Sequence, residues 1–296
     1  MNTPLFKGCG TAIITPFTSQ GIDYSALEKL IEFQINQGAD ALIVLGTTGE
    51  AAAMTAAEKT DVIKFAVSKT AKRIPVIIGT GSNCTETAAE NSAAAEKLGA
   101  DGLLVVTPYY NKCTQGGLVA HFNAVADRVG IPIVVYNVPK RTGVDISAET
   151  FAKMCEHKNI QAIKEASGNL EQIAEMSRLT RGKAFIYSGD DSLIIPVMSV
   201  GGIGVISVAS NVAPKYFKEM TAYALNGDHQ KALDMQLNAL PFIKALFLEI
   251  NPIPVKAAAK LLGLSNGILR LPLTDIEESN LVRLKKEMTD FGLIPS

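Results

Sequence analysis

Short apolar runs rich in β-branched residues alternate along most of this chain with longer stretches of amphipathic pattern. The runs are GTAIITPF from Gly10, ALIVLG from Ala41, PVIIGTG from Pro75 and GLLVVTPYY from Gly102. They continue with PIVVYNV from Pro132, QAIKEA from Gln161, AFIYSGDD from Ala184 and GIGVISVASN from Gly202. Apolar runs this short, bounded by turn residues, read as buried strands. Between them, stretches such as 24–37, 55–70 and 85–98 place apolar residues at helical spacing, and Gly38 and Gly99 stand where C-terminal caps belong. Eight strand–helix units of roughly 25–30 residues would use ~215 residues, which predicts an α/β chain folded as a (β/α)8 TIM barrel. The competing open sheet would carry a glycine-rich dinucleotide turn after its first strand. Here GTTGE follows the second run, and GGIGVIS at 201–207 leads into a strand rather than out of one. From about Asn226 the rhythm breaks, and 228–249, 254–262 and 274–291 read as helices. The predicted organisation is a catalytic barrel over 1–225 and a helical C-terminal extension over 226–296. The mixed apolar and charged faces of the extension suit packing on the barrel or a subunit contact.

One strand carries an unusual residue. In IQAIKEASG, 160–168, alternation puts Ile163 and Glu165 on one face and Lys164 on the other with Ala162 and Ala166. Burying an unpaired charge is costly, so burial favours the neutral amine, the state that attacks carbonyl carbon. A structural lysine that snorkels to solvent or meets a distant carboxylate would show the same local sequence.

Composition narrows the partners. Hydrophobic residues make up 47% of the 296 residues and the formal net charge is -1, so nothing favours a nucleic-acid or membrane-surface partner. No apolar run reaches membrane-spanning length, and MNTPLFKGCG lacks a signal-peptide layout. The four cysteines (Cys9, Cys84, Cys113, Cys155) form no CxxC pair, and His121, His157 and His229 are equally scattered. Free thiols in a reducing compartment fit this spacing better than disulfides or a metal site. The expectation is a soluble cytoplasmic protein without a protein-held metal.

In a barrel, active groups gather at the C-terminal ends of the strands. Those positions hold Gly46-Thr47-Thr48-Gly49-Glu50, Tyr109-Tyr110, Tyr136-Asn137, Lys164, Gly189-Asp190-Asp191 and the stretch 207–211, with Arg141 in the loop beyond strand five. GTTGE offers hydroxyls and amides to a small carboxylate, although an isolated GTTG is more often a tight capped turn. Tyr136 suits proton transfer or an aromatic core layer, and Arg141 suits a carboxylate clamp or loop decoration. Asp190 and Asp191 suit a cap on the following helix and disfavour phosphate there. Taken together the set supplies a nucleophile, hydroxyl proton carriers and anion binders on one rim.

GTTGE, TPYYNK, YNVPKRTG, IKEASGN and SGDD, in this order and spacing, resemble the dihydrodipicolinate synthase family of pyruvate-dependent class I aldolases, whose wider group includes N-acetylneuraminate lyase. The likeness runs from about Gly8 to the C-terminus and includes NPIPVKAA. It implies a lyase that condenses pyruvate with L-aspartate 4-semialdehyde to 4-hydroxy-tetrahydrodipicolinate, on the diaminopimelate route to lysine. It implies that Lys164 forms an imine with pyruvate, and that Tyr136, Thr47 and Tyr110 relay protons, Tyr110 reaching into a neighbouring subunit's site. Thr48, Ile206 and Gly189 are then pyruvate-binding positions, and Arg141 binds the carboxylate of the second substrate. No metal or organic cofactor is implied, because the protonated imine is the electron sink. Relatives are commonly homotetramers built as dimers of dimers.

Two departures stand out. Cys113-Thr114-Gln115-Gly116-Gly117 follows TPYYNK where relatives usually carry a proline and TQEG, which loosens the loop presenting Tyr110. Many relatives bind lysine as a feedback inhibitor in a cleft between subunits. Asn83 and Tyr109 match that cleft, but Ala51, Ala56, Lys59 and Thr87 replace its polar or histidine groups. A cation at Lys59 would repel a lysine ligand, so weak or absent inhibition is expected. A sister aldolase using a sugar aldehyde is the alternative within the fold, and a catalytically silent keto-acid sensor is the alternative outside enzymes.

Overall fold

The computed structural model describes residues 3–295. Eight parallel strands close into a barrel in chain order: β1 (Gly8–Ala12), β2 (Ala41–Val44), β3 (Val76–Gly79), β4 (Gly102–Val106), β5 (Ile133–Asn137), β6 (Ile160–Glu165), β7 (Phe185–Ser188) and β8 (Gly204–Ser207). The ring closes where β1 pairs on one side with β2 and on the other with β8. This is the expected (β/α)8 barrel. Each predicted strand run extends past the end of its strand, because its last residues turn into the loops of the barrel mouth.

Alternation divides every strand. One set, including Val105, Val135 and Ile163, faces the surrounding helices and is almost wholly buried. The other fills the barrel with Ala41, Ile43, Ile77, Leu104, Val134, Ala162 and Ile206. Full burial of a valine, leucine or isoleucine side chain is worth about 1.5–3 kcal/mol, so both faces contribute to the fold. The bottom of the barrel is closed by Phe6, stacked on Tyr187 at 4.4 Å between ring centroids. Tyr187 Oη donates to the Phe6 carbonyl (2.7 Å), which commits that hydroxyl to the plug.

The helices start where the sequence offers caps. Asp23 accepts from the Ala26 amide ahead of α1 (Tyr24–Asn36). Thr55 and Glu58 form a reciprocal capping box on α2 (Ala56–Thr70). The ring continues with α3 (Thr85–Lys97), α4 (Gln115–Ala126), a single turn α5 (Pro139–Thr142), α6 (Ala148–Met154), α7 (Leu170–Thr180), α8 (Ile194–Ser199) and α9 (Pro214–Leu225). Gly38 and Gly99 follow α1 and α3 in the left-handed region, as expected of caps.

Beyond the ring lie α10 (His229–Ala245), α11 (Ile253–Leu261) and α12 (Glu278–Asp290). The expected helix over 228–249 stops at Ala245, ahead of a cis Asn251–Pro252 bond. The helix expected from 274 begins at Glu278, after the Glu277 amide has docked on Glu249 Oε1 (2.9 Å). Among the described residues, no helix is long and apolar enough to cross a membrane.

Candidate active site

Lys164 sits near the upper end of β6 and is 5% exposed. Its strand neighbours in register are Tyr136 on β5 and Tyr187 on β7, so it lies in a row between two tyrosines. Its Nζ stands 4.4 Å from the centre of the Tyr136 ring. Among the described residues it has neither an ion-pair nor a hydrogen-bond partner. Glu165, the adjacent carboxylate, points the other way, where it accepts from Asn137 Nδ2 (2.8 Å) and the Ser167 amide (2.6 Å). Burial pushes the Glu165 carboxyl above the usual range, against the pull of those hydrogen bonds.

The two tyrosines differ in a way that matters for chemistry. Tyr187 is spent on the plug. The Tyr136 hydroxyl has no protein partner among the described residues, although the residue is only 7% exposed. It is therefore the hydroxyl beside Lys164 that is free to exchange protons.

Gly189 stands over the lysine stem. A Cβ built there would meet Ala166 Cβ at 2.8 Å and Lys164 Cγ at 3.0 Å, so any side chain would crowd the amine. Ile206 fills the barrel interior from β8. Gly189 thus adjoins Lys164, and Ile206 shares the interior cluster of Tyr136 and Ala162.

In front of Tyr136 opens a cleft of about 870 Å³ lined by Thr47, Tyr109, Tyr136, Arg141 and Asn251, among others. Thr47 and Thr48 belong to a short 3-10 turn, Thr47–Gly49, closed by Glu50 in the left-handed region. The GTTGE segment is thus a tight turn and a wall of the cleft at once. Thr47 faces solvent, whereas Thr48 is buried and accepts from Asn251 Nδ2 (2.9 Å). Arg141 lies in the turn α5 rather than an irregular loop, and its Nη2 donates to the Asn251 carbonyl (3.1 Å). Asn251 therefore ties the threonine turn to the arginine. It carried no signal of its own in the sequence beyond membership of NPIPVKAA.

Tyr110 is not brought to this cleft. It is 91% exposed, with φ of 71°, on a loop held by Asn111 Nδ2 donating to the Asn83 carbonyl (2.9 Å). The two aspartates after β7 divide their work. Asp190 caps the next turn through Ser192, as expected. Asp191 caps no helix of its own loop, a correction to the sequence reading. It is buried and accepts from Ser207 Oγ and the Val208 amide (2.9 Å), bracing the loop after β8. Burial pushes its carboxyl above the usual range. Among the described residues, no group of three or more His, Cys, Asp or Glu side chains could hold a metal ion.

A buried amine without a carboxylate, beneath a free phenol at the mouth of a barrel, is an arrangement suited to attack on a carbonyl carbon. The model of the dihydrodipicolinate synthetase family matches residues 5–290. The chain belongs to this family. It is an enzyme of the lyase class. A 4-hydroxy-tetrahydrodipicolinate synthase of Thermoanaerobacter sp. (strain X514) is 53% identical over 293 residues, covering 98% of each chain. The dihydrodipicolinate synthase of Thermotoga maritima superposes with a TM-score of 0.97 at 43% identity, over 98% of this chain and 100% of the other. A chloride-inhibited dihydrodipicolinate synthase from Acinetobacter baumannii, complexed with pyruvate, gives a TM-score of 0.95 at 43% identity, over 97% and 99% of the two chains.

Proposed function

We propose that this barrel mouth condenses pyruvate with L-aspartate 4-semialdehyde, the activity of a 4-hydroxy-tetrahydrodipicolinate synthase, through an imine on Lys164. The observation that carries the reading is the pairing of a buried, carboxylate-free lysine with the unengaged hydroxyl of Tyr136.

The Lys164 amine adds to the carbonyl carbon of pyruvate, and water leaves as the imine forms. The imine nitrogen then accepts the electron pair released when a methyl proton departs, giving an enamine. Enamine carbon attacks the aldehyde, whose oxygen takes a proton and becomes the 4-hydroxyl. The amino group of the second substrate next adds to the imine carbon and displaces Lys164, which closes the ring. One water is released overall and the lysine is regenerated.

Tyr136 gives and takes the protons of these steps, and Thr47 extends the relay towards the cleft. General acid–base help of this kind contributes about 10²–10⁴ in rate. The Thr48 amide, Ile206 and Gly189 hold the pyruvyl group in the floor of the mouth. Arg141 receives the carboxylate of the semialdehyde, its fork steadied by the Asn251 carbonyl. Tyr110, exposed on one chain, serves the site of a second copy in a homotetramer built as a dimer of dimers. The working location is the cytoplasm.

The test is an aldehyde panel. Purified protein with pyruvate is offered aspartate semialdehyde, N-acetylmannosamine and glyceraldehyde, and products are followed by NMR. Turnover confined to aspartate semialdehyde is the expected result. Turnover of a sugar aldehyde instead overturns the choice of second substrate and keeps the imine. Pyruvate trapped on Lys164 by borohydride, with no aldehyde consumed, overturns the enzymatic reading altogether.

A further inference from the structure

We propose that Lys256 and Glu50 are positioning residues: their buried pair sets the turn that carries Thr47 and Thr48, and through it the hydroxyl relay beside Lys164. The inference rests on the imine reading given above.

Glu50 closes the threonine turn. Its amide donates to the Thr47 carbonyl (3.1 Å), and its backbone has φ of 53° and ψ of 34°, a left-handed conformation that a residue with a β-carbon adopts only under constraint. The constraint is visible at the other end of the side chain. Glu50 Oε1 is ion-paired with the Lys256 ammonium, and Oε2 accepts from the Arg270 amide (3.0 Å).

Lys256 lies on α11 and is 0% exposed. Its Nζ also donates to the Ile268 carbonyl (2.7 Å) and stands 4.2 Å from the centre of the Phe17 ring. Arg270 approaches the same ring at 4.3 Å and pairs with Glu58, next to the turn. Burial pulls the Lys256 ammonium down to about 8, against the attraction of Glu50; Arg270 adds a smaller downward push. Asn251, just ahead of α11, holds Thr48 Oγ1. The segment from Asn251 to Arg270 thus grips the turn on both sides of Gly49.

A buried ion pair adds little net stability, because the cost of removing both charges from water offsets their attraction. Its structural effect is directional: it names one geometry for Glu50. Replacing both partners by neutral isosteres therefore releases the turn without leaving an unpaired charge in the core. Single replacements do leave one.

The experiment compares wild type with Lys256→Met, Glu50→Gln and the double variant. The melting midpoint is measured first, and rates are taken well below the lowest of the four. One rate is kcat with aspartate semialdehyde. The other is deuterium exchange into the pyruvate methyl group, which needs the imine and the relay but no aldehyde. The double variant is expected to melt near wild type, to retain pyruvate trapping on Lys164, and to lose about tenfold or more in both rates. Wild-type exchange in a double variant that melts like wild type overturns the proposal, as does a rate loss that merely follows the melting midpoint across the three variants. Where a single variant does not fold, the double variant carries the test. If wild type exchanges pyruvate protons but does not turn over the semialdehyde, the synthase reading fails and the exchange rates still decide the role of the pair.

Discussion

Two lysines are buried among the described residues, and their surroundings are opposites. Lys164 and Lys256 are 5% and 0% exposed, and each stands over an aromatic ring, at 4.4 Å from Tyr136 and 4.2 Å from Phe17. Neither burial nor the ring separates them. What differs is the company of the nitrogen. Lys256 meets the Glu50 carboxylate and a backbone carbonyl, so its lone pair is committed to a proton shared among acceptors. Lys164 meets no acceptor among the described residues, and the nearest carboxylate in sequence, Glu165, is turned to the opposite face of the strand. The amine proposed as the nucleophile is thus the buried one left without a counter-ion.

The sharpest break in that comparison is chemical labelling. Borohydride reduction in the presence of pyruvate is expected to add a pyruvyl-derived mass to the peptide containing Lys164 and none to that containing Lys256. Lys164→Ala is expected to abolish turnover, and full activity in that variant would sink the mechanism. The tyrosine pair offers the next contrast. Tyr136→Phe should lose about 10²–10³ in kcat, within the range for a lost proton carrier, whereas Tyr187→Phe, losing only its bond to the plug, should stay within about threefold.

The arginines repeat the pattern at lower amplitude. Arg141, with a carbonyl as its side-chain partner, should act in binding: Arg141→Ala should raise KM for the semialdehyde about tenfold to a hundredfold and leave pyruvate trapping intact. Arg270, paired with Glu58, should act in stability. Its hydrogen bonds hold the Glu58 carboxyl down to about 2, from an ordinary 4.5, helped by the Thr55 amide. The folded state then binds this proton less tightly than the unfolded chain. The stabilisation is complete above about pH 4.5 and is lost as the pH falls towards 2. Arg270→Met should accordingly move the acid-unfolding midpoint upward, read by circular dichroism. The smallest expected effect is none. Lys59 lines the cleft with Ala51, Ala56, Thr87 and Glu90 and forms no ion pair among the described residues, so submillimolar free lysine should leave the rate unchanged. Half-inhibition in that range would show that Lys59 does not repel the ligand.

Much of this was legible in the sequence because barrel strands are buried on both faces and print as apolar runs, while their helices print a stripe and a cap. Lys164 was legible for the same reason, a charge in a pattern that excludes charge. Lys256 offered the same anomaly within PIPVKAAA, yet nothing near it in sequence announces Glu50, which lies across the fold. Asn251 was silent because its meaning is a contact with Thr48, 203 positions away. The limits of the late helices were misjudged where tertiary contacts rather than periodicity set them, as at Glu277. The role of Asp191 was misjudged because loops on neighbouring strands exchange hydrogen bonds that local spacing does not encode.

Asn251, Lys256 and Arg270 reach back to residues 48–58, with Arg270 and Glu50 separated by 220 positions. During synthesis, therefore, all eight strands and Lys164 leave the ribosome before the groups that fix the threonine turn exist. A nascent barrel can close with Lys164 in place and its threonine turn unset. The threonine turn is therefore set by residues that follow every strand of the barrel in the chain, later than Lys164 itself.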